Sequence, residues 1–224
     1  MHKRHDLLWP DGEGRRKCLA AARSFLAGAT PEQVAALIGN PAIPAIVSRQ
    51  EERRPGVLEA GFASPEKYDG SRLRAAVLVD LDSVVETATP FQVPRRIAAM
   101  VDFPRRSLLD AVAGAASRFG FEAGFFGSTA LQAVTGLPYC DEGSDVDVYV
   151  RRAAGGTEAS LRGFHGAVAD LERDTGVRID VEVEYDELFG IKLKEMFSGR
   201  KTVLAKGLYS VELIPVSALG RLVD

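Results

Sequence analysis

The chain has 224 residues, of which 46% are hydrophobic and 26% charged, with 28 basic side chains against 31 acidic ones and a net charge of −3 at pH 7. These values fit a folded protein of one large domain or two small ones. They exclude the global basic field that draws a protein to nucleic acid or an anionic membrane, and no stretch approaches the ~20 apolar residues that span a bilayer.

Taken in order, residues 5–9 are a short apolar run, a predicted strand closed by the turn Pro10-Asp11-Gly12. Residues 13–27 read as a helix with Cys18, Leu19, Ala22, Phe25 and Leu26 at helical spacing. Thr30-Pro31-Glu32-Gln33 opens a second helix, with Thr30 as cap, proline first and Gln33 completing a capping box. Gly39-Asn40-Pro41 ends it. Strands are predicted over 43–49, 56–63 and 73–81, separated by the charged run 50–54 and the turn-rich 64–71. Pro90, Pro94 and Pro104 punctuate the next part around a short helix over 95–100. A boundary at 102–106 then divides the chain into an N-terminal domain (1–103) and a C-terminal domain (104–224). The second half reads as a helix over 105–119, a strand at 125–126 and a short helix from Thr129. Then come a strand to Val150, a loop over 151–160, a helix over 158–175 and a strand over 177–185. A helix over 188–197 and strands over 202–206 and 209–214 complete it. The expected fold class is α/β in the broad sense, an α+β chain with a mixed sheet. Cys18 and Cys140 form no disulfide framework, and no apolar segment follows the basic start MHKRHDLLWPDGEGRRK. A cytoplasmic protein with reduced thiols is expected.

The chemistry concentrates in residues 125–150, FFGSTALQAVTGLPYCDEGSDVDVYV. Gly127-Ser128 breaks an apolar β-prone pair, and Ser128 is placed to cap a helix starting at Thr129. The free amides at such a helix start form an anion site. Along the strand, Asp145, Asp147 and Tyr149 share one face and the valines take the other. Two same-face carboxylates repel each other and serve no core, whereas a divalent cation uses them.

A Gly-Ser corner, an Asp-x-Asp strand and a later strand acid together resemble the nucleotidyltransferase superfamily with its polymerase-β-like fold. Asp180 best matches the third acid, with Glu182 in reserve. The resemblance implies Mg²⁺: two ions roughly 3.5–4 Å apart clamp the attacking and leaving oxygens of an in-line displacement. Asp145, Asp147 and Asp180 are then the metal ligands and catalytic acids, and Asp180 is also placed to accept the proton of an attacking hydroxyl.

The long gap over 129–144 narrows the likeness to the MdcG family, the phosphoribosyl-dephospho-CoA transferase (holo-acyl-carrier-protein synthase) of malonate decarboxylase. RHDLLW near the start and VRIDVEVEYDELFGIKLKEMFSGRKTVLAKG are also similar to that family, PAIVSRQ and GSRLRAAVL more loosely. Pro10 and the closing YSVELIPVSALGRLVD depart from its pattern. The resemblance implies an enzyme that moves the phosphoribosyl-dephospho-CoA group from triphosphoribosyl-dephospho-CoA to a serine of the acyl carrier protein subunit, releasing pyrophosphate. Gly127, Ser128 and Thr129 are assigned to the leaving phosphates. Lys201 and Lys206 are the first basic residues expected on the triphosphate, followed by Arg49, Arg72 and Arg74. Two alternatives remain open: transfer of AMP from ATP to another hydroxyl, and a non-catalytic module of the same fold. His165 reads as a surface helix residue, Trp9 as core or interface, and Tyr149 as packing or adenine-stacking. His5, beside Asp6, caps or closes an interface.

Overall fold

The computed structural model describes residues 2–24, 29–153 and 157–222. The first half is built on β1 (Leu7–Pro10), α1 (Gly12–Ala20), β2 (Arg23–Ser24), α2 (Pro31–Gly39), β3 (Ala45–Val47), β4 (Val57–Tyr68), β5 (Ser71–Asp80) and β6 (Val84–Ala88). Its strands form an antiparallel sheet in the order β2-β5-β4-β3-β1-β6. The Asp11 carboxylate accepts from the Gly14 amide to start α1, and the expected capping box of Thr30 and Gln33 starts α2. The two helices lay Cys18, Leu37 and Ile38 on the inward residues of β4 and β5, among them Ala60, Phe62, Val77 and Val79.

Two local expectations are corrected here. The first helix stops at Ala20 instead of 27, because Arg23 and Ser24 pair with Ala76 and Ala75 at the sheet edge. Tertiary pairing overrides a run of good helix formers; Phe25 and Leu26 lie outside the described residues. Val84–Ala88 is a strand that its own pattern did not single out, since its partner β1 comes from the start of the chain.

The second half comprises α3 (Val93–Ala98), α4 (Arg106–Arg118), β7 (Phe121–Phe125), α5 (Gly127–Thr135), β8 (Val146–Arg152) and α6 (Glu158–Thr175). It continues with β9 (Ile179–Tyr185), β10 (Phe189–Lys192), α7 (Leu193–Met196), β11 (Thr202–Gly207) and β12 (Val211–Pro215). The sheet order is β12-β11-β10-β9-β8-β7, and β8 and β9 run parallel while every other pair is antiparallel. The fold is therefore α+β with a mixed second sheet. Helices α4 and α6 cover one face of it, burying Leu109, Val112, Phe164 and Val168 with Val146, Val148, Val150, Ile179, Val181 and Val183. The single helix expected over 188–197 is instead β10 followed by one turn of α7. Phe189–Lys192 is drawn into the sheet by Tyr185, Glu184, Val183 and Glu182 on one side and by β11 on the other.

Three features join the halves. Strand β1 alternates between two cores, Leu8 in the first and Leu7 and Trp9 in the second. The buried Tyr139 hydroxyl donates to the Ala63 carbonyl at 2.7 Å, under the Arg72 guanidinium. Gly124 lies so close to Pro90 that an added Cβ would stand 2.6 Å from the proline carbonyl carbon, which restricts the position to glycine.

Candidate active site

The site lies on the face of the second sheet that the helices leave uncovered. Parallel register places Asp147 beside Asp180 and Tyr149 beside Glu182. Partners in register share a face, so the alternation that sends the valines inward stacks carboxylates on the other side. Asp147 is half-buried and accepts no side-chain hydrogen bond from any described residue. Burial, and then repulsion from Asp180, Asp145 and Glu182, pushes its carboxyl up to about 7. Its two neighbours in the predicted triad are each turned to a cation. Asp145 pairs with the exposed Arg178, and Asp180 pairs with Lys192 at 2.6 Å.

Gly127 sits directly against Asp147, with φ +62° and no room for a Cβ beside the carboxylate oxygens. Here a further local expectation is corrected: α5 begins at Gly127 behind Phe126, with no side-chain cap, so Ser128 lies within the first turn and does not cap it. The hydroxyls of Ser128 and Thr129 instead lie near the thiol of Cys140, whose pKa burial raises. The first helical bond is from the Ala130 amide to the Phe126 carbonyl, so the amides of residues 127–129 have no acceptor within the helix. An anion-seeking helix start thus adjoins an uncompensated carboxylate. A hard cation shared between carboxylates and phosphate oxygens reconciles the two.

Among the described residues, no group of three or more His, Cys, Asp or Glu side chains is placed to hold a metal ion, so Asp145, Asp147 and Asp180 do not form a preassembled metal site. Mg²⁺ takes few protein ligands and completes its shell with water and substrate phosphate, and the carboxylates of Asp147 and Asp180, adjacent in register, are donors of the type it uses.

The chain's start crosses the same face. Lys3 pairs with Glu184 at 2.8 Å, Arg4 lies 3.5 Å from Glu182, and His5 Nε2 lies 3.4 Å from it. Burial raises the Glu182 carboxyl, but the His5 hydrogen bond and the charges of His5, Arg4 and Lys206 outweigh burial and leave it below its ordinary value. His5 adopts φ +72° and stacks on Phe126 at 4.0 Å between ring centroids. A non-glycine residue held there is strained and fixed by its surroundings.

The basic residues separate. Lys206 faces the same side, opposite Gly190 on β10. Lys201 is exposed in the turn ahead of β11. Arg72 is occupied with the carbonyls of Ser64, Pro65 and Tyr139, while Arg49 and Arg74 are exposed. His165 packs on Phe197 from α6, on the far side of the sheet. Lys192 and Arg178, which hold Asp180 and Asp145, were not singled out as site residues by the sequence. Lys192 was hidden in a segment read as helix. Arg178 had a signal, since it alternates with the acids along its strand.

Residues 3–90 match the phosphoribosyl-dephospho-CoA transferase MdcG N-terminal domain, and residues 80–217 match the corresponding C-terminal domain. A phosphoribosyl-dephospho-CoA transferase of Bradyrhizobium diazoefficiens is 28% identical, over 94% of this chain and 89% of its own. Another from Xanthomonas campestris pv. campestris is 26% identical, over 98% of this chain and 97% of its own. No solved structure gives a significant match. With both halves matched in order, the chain belongs to the phosphoribosyl-dephospho-CoA transferase (MdcG) family.

Proposed function

We propose that the chain joins the phosphoribosyl-dephospho-CoA group of triphosphoribosyl-dephospho-CoA to a serine of the malonate decarboxylase acyl carrier protein. Pyrophosphate leaves, Mg²⁺ assists, and the setting is cytoplasmic. The observation that carries the reading is Asp147, a half-buried carboxylate crowded by Asp180 and Asp145 against the glycine that opens α5. Such a group is costly in a folded chain, and perturbed carboxylates in a cleft mark sites of chemistry.

In the proposed reaction the carrier serine Oγ attacks the α-phosphorus of the donor. A P–O bond to the carrier forms, the bond to the β-phosphate breaks, and pyrophosphate departs with the electron pair. Asp147 or Asp180 accepts the serine proton. The free amides of residues 127–129, with Ser128 and Thr129, hold the departing phosphates. Lys201 and Lys206 are proposed to neutralise donor phosphate. Lys192 and Arg178 hold Asp180 and Asp145 in position before the donor arrives. Mg²⁺, held by Asp145, Asp147 and Asp180, would supply positive charge to the phosphate oxygens as negative charge builds on them.

The test is mass spectrometry of the carrier subunit after incubation with donor, enzyme and Mg²⁺. The expected result is a mass gain of one phosphoribosyl-dephospho-CoA group that disappears with Asp147→Ala. An unmodified carrier, or a carrier adenylated from ATP under the same conditions, would reject the proposed donor.

A further inference from the structure

A second concavity opens on the same sheet face, enclosing about 140 Å³ between the chain's start, the loop ahead of β4 and the tips of the β9–β10 and β11–β12 hairpins. Its wall combines two chemistries. Lys3, Arg4, Arg53 and Lys206 supply positive charge against the single carboxylate of Glu187, and Tyr149, Phe189 and Tyr209 supply aromatic surface. The Arg53 guanidinium already lies over the Tyr209 ring, 4.4 Å from its centroid. Among the described residues neither Arg53 nor Lys206 has a carboxylate within ion-pair distance, in contrast to Lys3 and Arg4 on the same rim. Two uncommitted cations beside π-faces suit a planar base attached to a short polyanion. The concavity is partly open to solvent, so an extended nucleoside diphosphate can lie along it with one end outside, and it is too small for a folded partner.

Position separates this pocket from the acids. Lys206 is three strands from Asp147, about 14 Å at the usual strand spacing, and Tyr149 lies about 7 Å along β8. A donor that reacts at Asp147 through one polyphosphate therefore meets this pocket with a different part. Dephospho-CoA has such a part, because its adenosine is joined to pantetheine through a second, unreactive diphosphate.

We infer that the pocket walled by Arg53, Lys206, Tyr149 and Tyr209 binds the adenosine-diphosphate arm of the donor. This rests on the transferase reading above. Arg53 and Lys206 pair with the diphosphate, and the aromatic rings bound the base. The acids and the helix start act on the triphosphate alone. The two ends of one donor are held at opposite ends of one sheet face, which leaves the reacting phosphate fixed between them.

Calorimetric titration with dephospho-CoA, which lacks the triphosphate, isolates the arm. Wild-type protein is expected to bind it, Arg53→Ala to bind it about tenfold more weakly, and the Arg53→Ala, Lys206→Ala double variant weaker still. Asp147→Asn binds it as wild type does, and inorganic triphosphate binding is unaltered by Arg53→Ala. Arg53 is exposed, so its truncation leaves the fold intact, which circular dichroism checks. Wild-type affinity in the double variant, or no dephospho-CoA binding by the wild type, overturns the assignment. The carrier mass-shift assay run in parallel keeps the two readings apart. Carrier modification with unaltered kinetics in Arg53→Ala rejects the pocket and spares the transferase. Arg53-dependent dephospho-CoA binding without carrier modification supports the pocket and rejects the transferase.

Discussion

Two ionisable side chains, one in each half, are drawn wholly or partly away from water, and their surroundings treat them oppositely. In the first, Arg15 is 7% exposed and forms no ion pair with a carboxylate among the described residues, yet its guanidinium donates to five carbonyls, those of Pro10, Ile38, Asn40, Pro41 and Ile43, at 2.8–3.2 Å. Burial lowers its pKa from the ordinary value, but the donors are satisfied and the loop between α2 and β3 is fixed to α1. In the second half, Asp147 faces more carboxylates and accepts no described side-chain donor. Satisfaction marks a charge that belongs to the architecture. An unsatisfied, crowded charge marks one kept for a ligand.

The largest expected effect follows from Asp147. Asp147→Asn keeps the shape and removes the charge, so transfer to the carrier should fall by about 10³-fold or more in a single-turnover assay. If the crowding is a cost carried for function, the same change stabilises the metal-free protein. In the folded chain Asp147 keeps its proton up to about pH 7, against an ordinary value of 3.8. The folded state thus binds more protons between those values, and metal-free stability declines as pH rises through that window. Thermal melts in chelator at pH 8 should place Asp147→Asn a few degrees above wild type, with the difference absent near pH 4. Added Mg²⁺ should raise the wild-type melting temperature and not that of the variant. A variant no more stable than wild type at pH 8 breaks the contrast with Arg15.

Arg15→Met tests the other side. It removes a satisfied guanidinium and leaves carbonyls unpaired in a buried place, which costs about 3–5 kcal/mol. Chemical denaturation should register that loss, while the single-turnover rate per folded molecule stays that of wild type. A rate defect without a stability defect would mean that Arg15 serves the site.

The sequence made some of this contrast legible. Asp145, Asp147 and Asp180 could be named because strand alternation is local and the valines on the opposite face show which side is buried. Thr30 could be read as a cap because its motif is local as well, whereas Asp11, read as part of a turn, caps α1. The role of Arg15 could not be read, because four of its five acceptors, Ile38, Asn40, Pro41 and Ile43, lie 23 to 28 positions further along the chain. Lys192 was lost because the apolar residues of 188–197 also fit a helix, and only pairing with β9 and β11 decides for a strand. Ser128 was misread because the helix starts two positions early: the left-handed Gly127 begins it, where no Cβ would fit beside Asp147. His5 meets Glu182 across 177 positions of sequence, a separation that no local pattern reports.

Gly127→Ala sharpens the comparison by disturbing Asp147 without altering any charge. At φ +62° a methyl group is strained and also meets the carboxylate, so a loss of about 1–3 kcal/mol in stability is expected. Because the displaced carboxylate is the one proposed to act, transfer should drop by about 10²-fold, beyond what unfolding explains. Equal losses in Gly136→Ala, where φ is +71° and open space surrounds the position, would reduce the effect to backbone strain alone.

The smallest effect concerns whether the two halves share stability at all. Tyr139 is fully buried in the second core, and its hydroxyl donates to Ala63 of β4. Tyr139→Phe leaves the ring, its packing and the Arg72 guanidinium above it in place, and removes one neutral hydrogen bond. The stranded carbonyl of Ala63 makes the expected loss about 1 kcal/mol, or about 2–4 °C in melting temperature for a chain of this size. If the halves unfold together, the whole transition shifts by that amount. If the first sheet unfolds separately, calorimetry shows the transition splitting, with the Arg15→Met deficit confined to one component. In a single shared transition the stability that Arg15 adds in one half offsets the cost of the crowded acids in the other, and the Arg15→Met, Asp147→Asn double variant should then recover part of what Arg15→Met loses.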